Sequence, residues 1–211
     1  DGTFHANEVT ACALLLCFDL IDMDKITRTR HYAQLSSCEY VCDVGGIYSL
    51  EKKRFDHHQV DYKGPLSSAG MILDYLKQIS LLTQKDFDFF NNALVRGVDA
   101  HDNGKDTQAP GLCTFSHIIS NFTPIHYDAT SAEQDSAFLH AVTFALGHLK
   151  RLWQRYQYNR SCKKEVMEAM AEFKECLIFD KAIPWMDTFF EEGGEKHPAR
   201  FVIMPSGKHW K

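Results

Sequence analysis

The sequence has no Cys-x-x-Cys pair, and its seven cysteines are an odd number with no even disulfide framework. Cys38 and Cys42 are four apart, but the second lies in an apolar run that reads as a strand, not as a zinc knuckle. Reduced thiols packed as small hydrophobes in a reducing compartment are the expectation. Long hydrophobic runs are missing too. The longest, Ala11 to Phe18 with its flanks, falls far short of the ~20 residues a bilayer span needs, and no signal peptide opens the sequence. A soluble intracellular protein with no membrane partner is expected. Positive charge is in deficit: 23 Lys+Arg stand against 28 Asp+Glu, a formal net charge of −5 with a pI near 6.1. That balance argues against gripping duplex DNA by bulk electrostatics, although a local basic groove would not show in the sum. No internal repeat or low-complexity tract is present.

What is there suffices for a real core: 211 residues, 45% of them hydrophobic, make one domain or a domain and part of another. Glu8 to Leu20 reads as a short helix apolar nearly all round, suited to burial between layers. Lys25 to Arg30 alternates polar and β-branched residues. Tyr40 to Val44 reads as a buried strand ending at Gly45-Gly46, and Arg54 to His58 as a second strand or its exit. Helical spacing follows from Ser67 through Ile79, and again through Phe87, Phe90, Leu94 and Val98 up to Asp99, before Gly104 and Pro110 break it. Ser131 to about Arg160 and Lys163 to Glu175 read as further helices, with Phe138, Val142, Ala145, Leu149, Leu152, Trp153 and Tyr156 as a core stripe. Leu177 to Phe179 and Phe201 to Met204 look like strands. The order predicts an α/β parallel-sheet domain with helices on both faces over 1–115, a helical connector over 116–175, and the start of a smaller α/β substrate-binding domain over 176–211.

Histidine is abundant, at 11 residues, and it is the commonest metal ligand. Four stretches concentrate metal-ligand types where elements end: His5-Ala6-Asn7-Glu8, Asp43 before the glycines, Asp56-His57-His58, and Asp99 with Asp102. Hard divalent ions take carboxylate and imidazole donors, and α/β sheets assemble sites from several strand ends at one edge. Spread over about a hundred residues, the four stretches could meet there. His101, between the two aspartates, is kept open as a further candidate; His31, His117, His126, His140, His148, His197 and His209 read as surface or packing residues.

Taken in order, Gly-Thr-Phe-His-Ala-Asn-Glu from Gly2, Asp43-Val44-Gly45-Gly46, Arg54-Phe55-Asp56-His57-His58-Gln59, Leu66-Ser67-Ser68-Ala69-Gly70 and Gly97 through Gly104 closely resemble the MYG1 family. Ala182-Ile183-Pro184-Trp185 and the Phe201 to Gly207 stretch extend the likeness over essentially the whole chain. The resemblance implies a member of the DHH phosphoesterase superfamily, a nuclease using two Mn²⁺ or Mg²⁺ ions as a 3′-to-5′ exonuclease on single-stranded RNA, with DNA left open as a further substrate. It places such a protein in nucleus and mitochondria in a eukaryote and in cytoplasm in a bacterium. By the same likeness His5 would bind the first metal, Asp43 would bridge both, His57 would bind the second with His58 facing the phosphate, and Asp99 would be the last carboxylate ligand. Asp102 is its reserve one helical turn on, and Asp56 would orient the neighbouring imidazoles. Lys52, Lys53 and Arg54 are expected near the phosphate. Lys150, Arg151, Arg155, Arg160, Lys163 and Lys164, interleaved with Trp153, Tyr156 and Tyr158, are candidates to meet the strand, with a solvated helix face over core aromatics as the equal alternative.

Two departures stand out. Asn7 occupies a place where the family pattern has Asp, and the pattern carries a further His just upstream of Asp1, which implies trimmed ends. An amide can coordinate through its carbonyl oxygen but brings no charge, so the second ion should bind more weakly. An engineered change, an inactive relative and an active variant tolerating Asn are all compatible with it. Beside the nuclease stand two alternatives: a silent relative binding nucleic acid or a partner, and a small-molecule phosphatase or pyrophosphatase.

Overall fold

The computed structural model describes residues 2–106, 109–172 and 174–210. It divides into two compact units, 1–149 and 150–211, the division falling inside the helix Ser131–Ser161. Both units are mixed α/β with small sheets containing parallel strands. Among the described residues no helix is long and apolar enough to cross a membrane.

In the first unit α1 (Ala6–Cys17) buries Val9, Ala11, Ala13, Leu14, Leu15 and Leu16 together, which is why its apolar residues lie on every side. It packs against α3 (Ser68–Gln78), whose Met71, Ile72, Leu73 and Leu76 have no exposed surface. A helix buried on most of its surface gains about 1.5–3 kcal/mol per large apolar side chain removed from water. Ile26 to Arg30 joins no ladder; a helix α2 (Tyr32–Ser37) follows.

The sheet carries β1 (Val41–Cys42), β2 (Tyr48–Ser49) and β3 (Arg54–Phe55) in the order β1-β3-β2. β1 runs parallel to β3 with Cys42 opposite Phe55, so Asp43 and Asp56 leave the sheet side by side at its carboxyl edge. β2, absent from the sequence reading, pairs antiparallel with β3. From α4 (Gln84–Phe90) the helical run passes through a π segment, Asn91–Val95, into α5 (Arg96–Asp102). α6 (Phe115–Ser120) and the first turns of α7 (Ser131–Ser161) complete the unit, with Phe4 and Phe138 edge-on at 5.5 Å.

The second unit takes up the end of α7, then α8 (Lys163–Glu172) and α9 (Met186–Glu191), with β4 (Cys176–Ile178) parallel to β5 (Phe201–Ile203) and a hairpin of β6 (Pro205–Ser206) and β7 (His209–Trp210). Cys162, Val166, Ala169, Leu177, Phe179, Ile183 and Phe189 form its core. Of the expected α7 stripe, Phe138 through Leu149 is buried, whereas Leu152, Trp153 and Tyr156 are half-buried.

One close approach ties fold to site. A methyl group on Gly70, in the first turn of α3, would collide with the Asp99 carboxylate. Gly→Ala in a helix ordinarily gains up to about 1 kcal/mol. Here Gly70→Ala is expected to lose about 2–3 kcal/mol instead, read as a lower urea midpoint, because the carboxylate cannot move without breaking the bonds described next.

Candidate metal centre

Two sequence features set the site's floor. Asp43 adopts a left-handed backbone (φ 61), rare for a residue with a side chain, two residues before Gly45, which with Gly46 is also at positive φ. The turn is then fastened from the neighbouring strand. Asp56 Oδ2 accepts from the Gly46 N–H at 2.6 Å, while its Oδ1 accepts from the His58 N–H at 3.1 Å and lies 2.6 Å from His58 Nδ1. Burial pushes the Asp56 carboxyl up, but the hydrogen bonds from Gly46 and His58 outweigh it and hold the group below its ordinary value. Buried Asp56 therefore orients the Asp43 turn and the His58 ring together.

Above that floor Asp43, His57 and His58 bring ligand atoms within 4.8 Å of one another. His57, 11% exposed, has Nε2 3.5 Å from Asp43 Oδ1 and 3.0 Å from Asp102 Oδ2, yet that nitrogen is buried with no aligned hydrogen-bond partner. A ring nitrogen facing two carboxylate oxygens without a hydrogen bond is an arrangement that a cation relieves. His58 is 60% exposed at its side chain, and with Nδ1 tied to Asp56 its Nε2 is left to face solvent. Burial lowers the His58 pKa, but Asp56 and Asp43 together raise it above the ordinary histidine value. Burial raises the Asp43 carboxyl, with His58 opposing and Asp102 reinforcing the rise.

Asn7, 1% exposed, closes the other side. Its Oδ1 accepts the Glu8 N–H at 2.6 Å, so its orientation is set and Nδ2 donates to Asp43 Oδ1 at 2.8 Å. Position 7 thus presents a donor to the site rather than a lone pair. Glu8, whose Oε1 accepts the His5 N–H at 2.9 Å, is pushed up to about 8 by burial and by the Asp43 charge. His5 and Glu8 line a cavity of about 360 Å³ together with Thr3, Arg30, Asp43 and His58. Glu8 belongs to one of the four ligand-rich stretches without a role of its own there, whereas nothing local in the sequence signals Arg30.

The two carboxylates of α5 are used differently. Asp99 Oδ1 accepts from Ser67 N (3.0 Å), Ser67 Oγ (2.6 Å) and Gly70 N (3.1 Å), capping the amino end of α3. Burial still raises its carboxyl above the ordinary value against those bonds. Asp102 is the one against His57. Neither Arg54 nor Lys53 lines the cavity: the Arg54 guanidinium donates to the carbonyls of Leu35, Cys38, Glu39, Lys52 and Lys53, and the Lys53 ammonium pairs with Glu39. Burial also lifts the Cys42 thiol well above its ordinary value and pushes Cys12 up to about 12, so neither offers a thiolate nucleophile.

The donor set of two carboxylates and two imidazoles suits one or two divalent cations better than it suits acid–base chemistry alone. The family model MYG1_exonuc, described as "Uncharacterised protein family (UPF0160)", matches residues 1–211. The chain is 51% identical over 210 residues to a MYG1 protein of Chlamydia pneumoniae and 49% identical to one of Chlamydia trachomatis, in each case over all of this chain and 72% of the relative. It is 28% identical over 203 residues to the MYG1 exonuclease of Mus musculus, covering 82% of this chain and 53% of that protein. No solved structure gives a significant match.

Proposed function

The chain belongs to the MYG1 family, and from that membership and the Asp43–His57–Asp102 convergence we propose that it is a metal-dependent phosphodiesterase of the DHH type, a 3′-to-5′ exonuclease on single-stranded RNA. The observation that carries the reading is the buried His57 Nε2 set between two carboxylates without a hydrogen bond. Asp43, His57 and Asp102 would hold one Mn²⁺ or Mg²⁺ ion, and His5 and Asp43, with position 7, would hold a second. When bound, such an ion supplies Lewis acidity, polarising water and offsetting the negative charge of a phosphodiester.

The chain's own groups do the rest. Asp56 anchors His58 Nδ1, which leaves the ring's Nε2 to meet a phosphate oxygen, and the Asp56 and Asp43 carboxylates move its pKa upward against burial. Arg30, exposed along the cavity, is placed to pair with a second phosphate oxygen, the role the sequence reading gave to Lys53 and Arg54. The division of labour we propose is catalysis in 1–115, a helical connector over 116–175 and a substrate-binding start over 176–211. Exposed Lys150, Arg151, Arg155 and Arg160 would track the strand.

Incubation with Mn²⁺ and 5′-labelled single-stranded RNA is expected to give a ladder shortening from the 3′ end. Asp43→Asn should lower the rate by about 10³-fold or more, and Arg30→Ala should raise KM about tenfold with kcat little changed. Turnover of pyrophosphate or a dinucleotide with none of longer strands would turn the reading to a small-molecule phosphatase. The Asn7 amide motivates one other reading, a silent relative that binds nucleic acid without cutting it; inactivity both in this chain and with Asn7→Asp would establish that reading against the nuclease.

A further inference from the structure

Near the carboxyl end of α5, a second group of metal donors comes together. His101, Asp106 and His117 bring one ligand atom each within 4.8 Å of the others; among the described residues only this group and the Asp43 group do so. We infer that these three side chains form a second, separate metal site with zinc-type chemistry, which ties the loop after α5 to α5 and α6.

The local backbone assembles it. After His101, near the end of α5, Gly104 at φ 64 reverses the chain, with the Gly104 N–H bonded to His101 O (3.0 Å) and the Lys105 N–H to Ala100 O (2.7 Å). This reversal returns Asp106 alongside the last turn of the helix, where its Oδ2 lies 2.7 Å from His101 Nδ1. His117 arrives from the first turn of α6, its ring edge-on to His101 at 5.3 Å between centroids. Thr114, which caps α6 by accepting the His117 N–H at 3.3 Å, also lies 3.0 Å from His117 Nδ1. That contact occupies Nδ1 and leaves Nε2 to coordinate, the usual outer support of a ligating imidazole.

An ion pair between His101 and Asp106 accounts for those two side chains but does not involve His117, whose ligand atom lies within 4.8 Å of both. Three donors from three segments, each oriented by its own backbone, lose little freedom on binding an ion. The one close pair also leaves room for an ion. Donors on a tetrahedral zinc stand about 3.3 Å apart, given Zn–N and Zn–O bonds near 2.0–2.1 Å, so the His101–Asp106 pair need open by only about 0.6 Å. Two imidazoles with one carboxylate favour zinc over Mn²⁺ or Mg²⁺, which prefer oxygen, and three protein ligands leave a fourth position for water. His101 and Asp106 are 32% and 16% exposed, screened from solvent yet reachable from it. His101 and Asp102 are successive residues of α5, about 100° apart around its axis, so one helix end serves both sites without sharing a ligand.

The test counts zinc bound per full-length chain after chelator treatment and dialysis, with excess Mn²⁺ present, and records the visible spectrum of the Co²⁺-loaded protein. The expected result is one zinc retained per chain and intense tetrahedral Co²⁺ bands, with Asp43→Asn leaving both in place. His117→Ala and Asp106→Asn should each lose that zinc and those bands, while His117→Cys, which keeps a zinc ligand, retains them even if the alanine variant folds poorly. Zinc content and spectrum unchanged in His117→Ala, or no zinc held against Mn²⁺ by the parent chain, would overturn the assignment. Neither readout involves nuclease activity, so the outcome is independent of the function proposed above.

Discussion

Asn7→Asp is expected to bind Mn²⁺ at least about tenfold more tightly than the parent chain while melting lower without metal. The two effects have one cause. Asn7 Nδ2 now donates to Asp43 Oδ1 at 2.8 Å, and Asn7 Oδ1 is engaged by the Glu8 N–H. Aspartate keeps the acceptor for Glu8 but sets a second carboxylate oxygen against Asp43 in a nearly solvent-free position. One hydrogen bond is lost and a like-charge contact created, a cost of about 2 kcal/mol after partial protonation, or roughly 4–8 °C in Tm for a chain of this size. With metal bound the same oxygen becomes a charged ligand, and a tenfold gain in affinity is about 1.4 kcal/mol. Thermal melts with and without Mn²⁺, with calorimetric titration, check both halves. Unchanged Mn²⁺ affinity would remove position 7 from the site.

The second large effect separates the two carboxylates of α5. Asp99→Ala should destabilise the chain by about 3 kcal/mol in urea unfolding, because it strands the Ser67 and Gly70 N–H groups in a buried place. Asp99→Asn keeps an oxygen for those donors and should cost only about 1 kcal/mol, with Mn²⁺ stoichiometry unchanged. Asp102→Asn should fold normally and bind Mn²⁺ at least about tenfold more weakly, because it removes the charged oxygen beside His57 Nε2. Loss of Mn²⁺ in a stably folded Asp99→Asn would reverse the two roles.

These positions also mark how far the sequence could be read. Asp43 before two glycines and the Asp-His-His triplet are local signals, since a turn and a strand exit need those residue types in that order. The buried α1 and the α3 face were legible from composition and spacing. The choice between Asp99 and Asp102 was not. They lie one turn apart on one helix, and the π segment Asn91–Val95, which takes about one more residue per turn than an α-helix, shifts the phase of everything after it. β2 was missed because two paired residues leave no periodic trace, and Arg30 was missed because lining a cavity has no local pattern.

The sequence by itself determined the α/β class and the family, because these depend on residue type and order. Tertiary structure alone decided where each of these side chains lies: parallel pairing set Asp43 beside Asp56, the α3 amino end claimed Asp99, and the α5–α6 approach drew His117 to His101. Coordination is a matter of distances of a few ångströms between residues far apart in the chain, and only packing sets those distances.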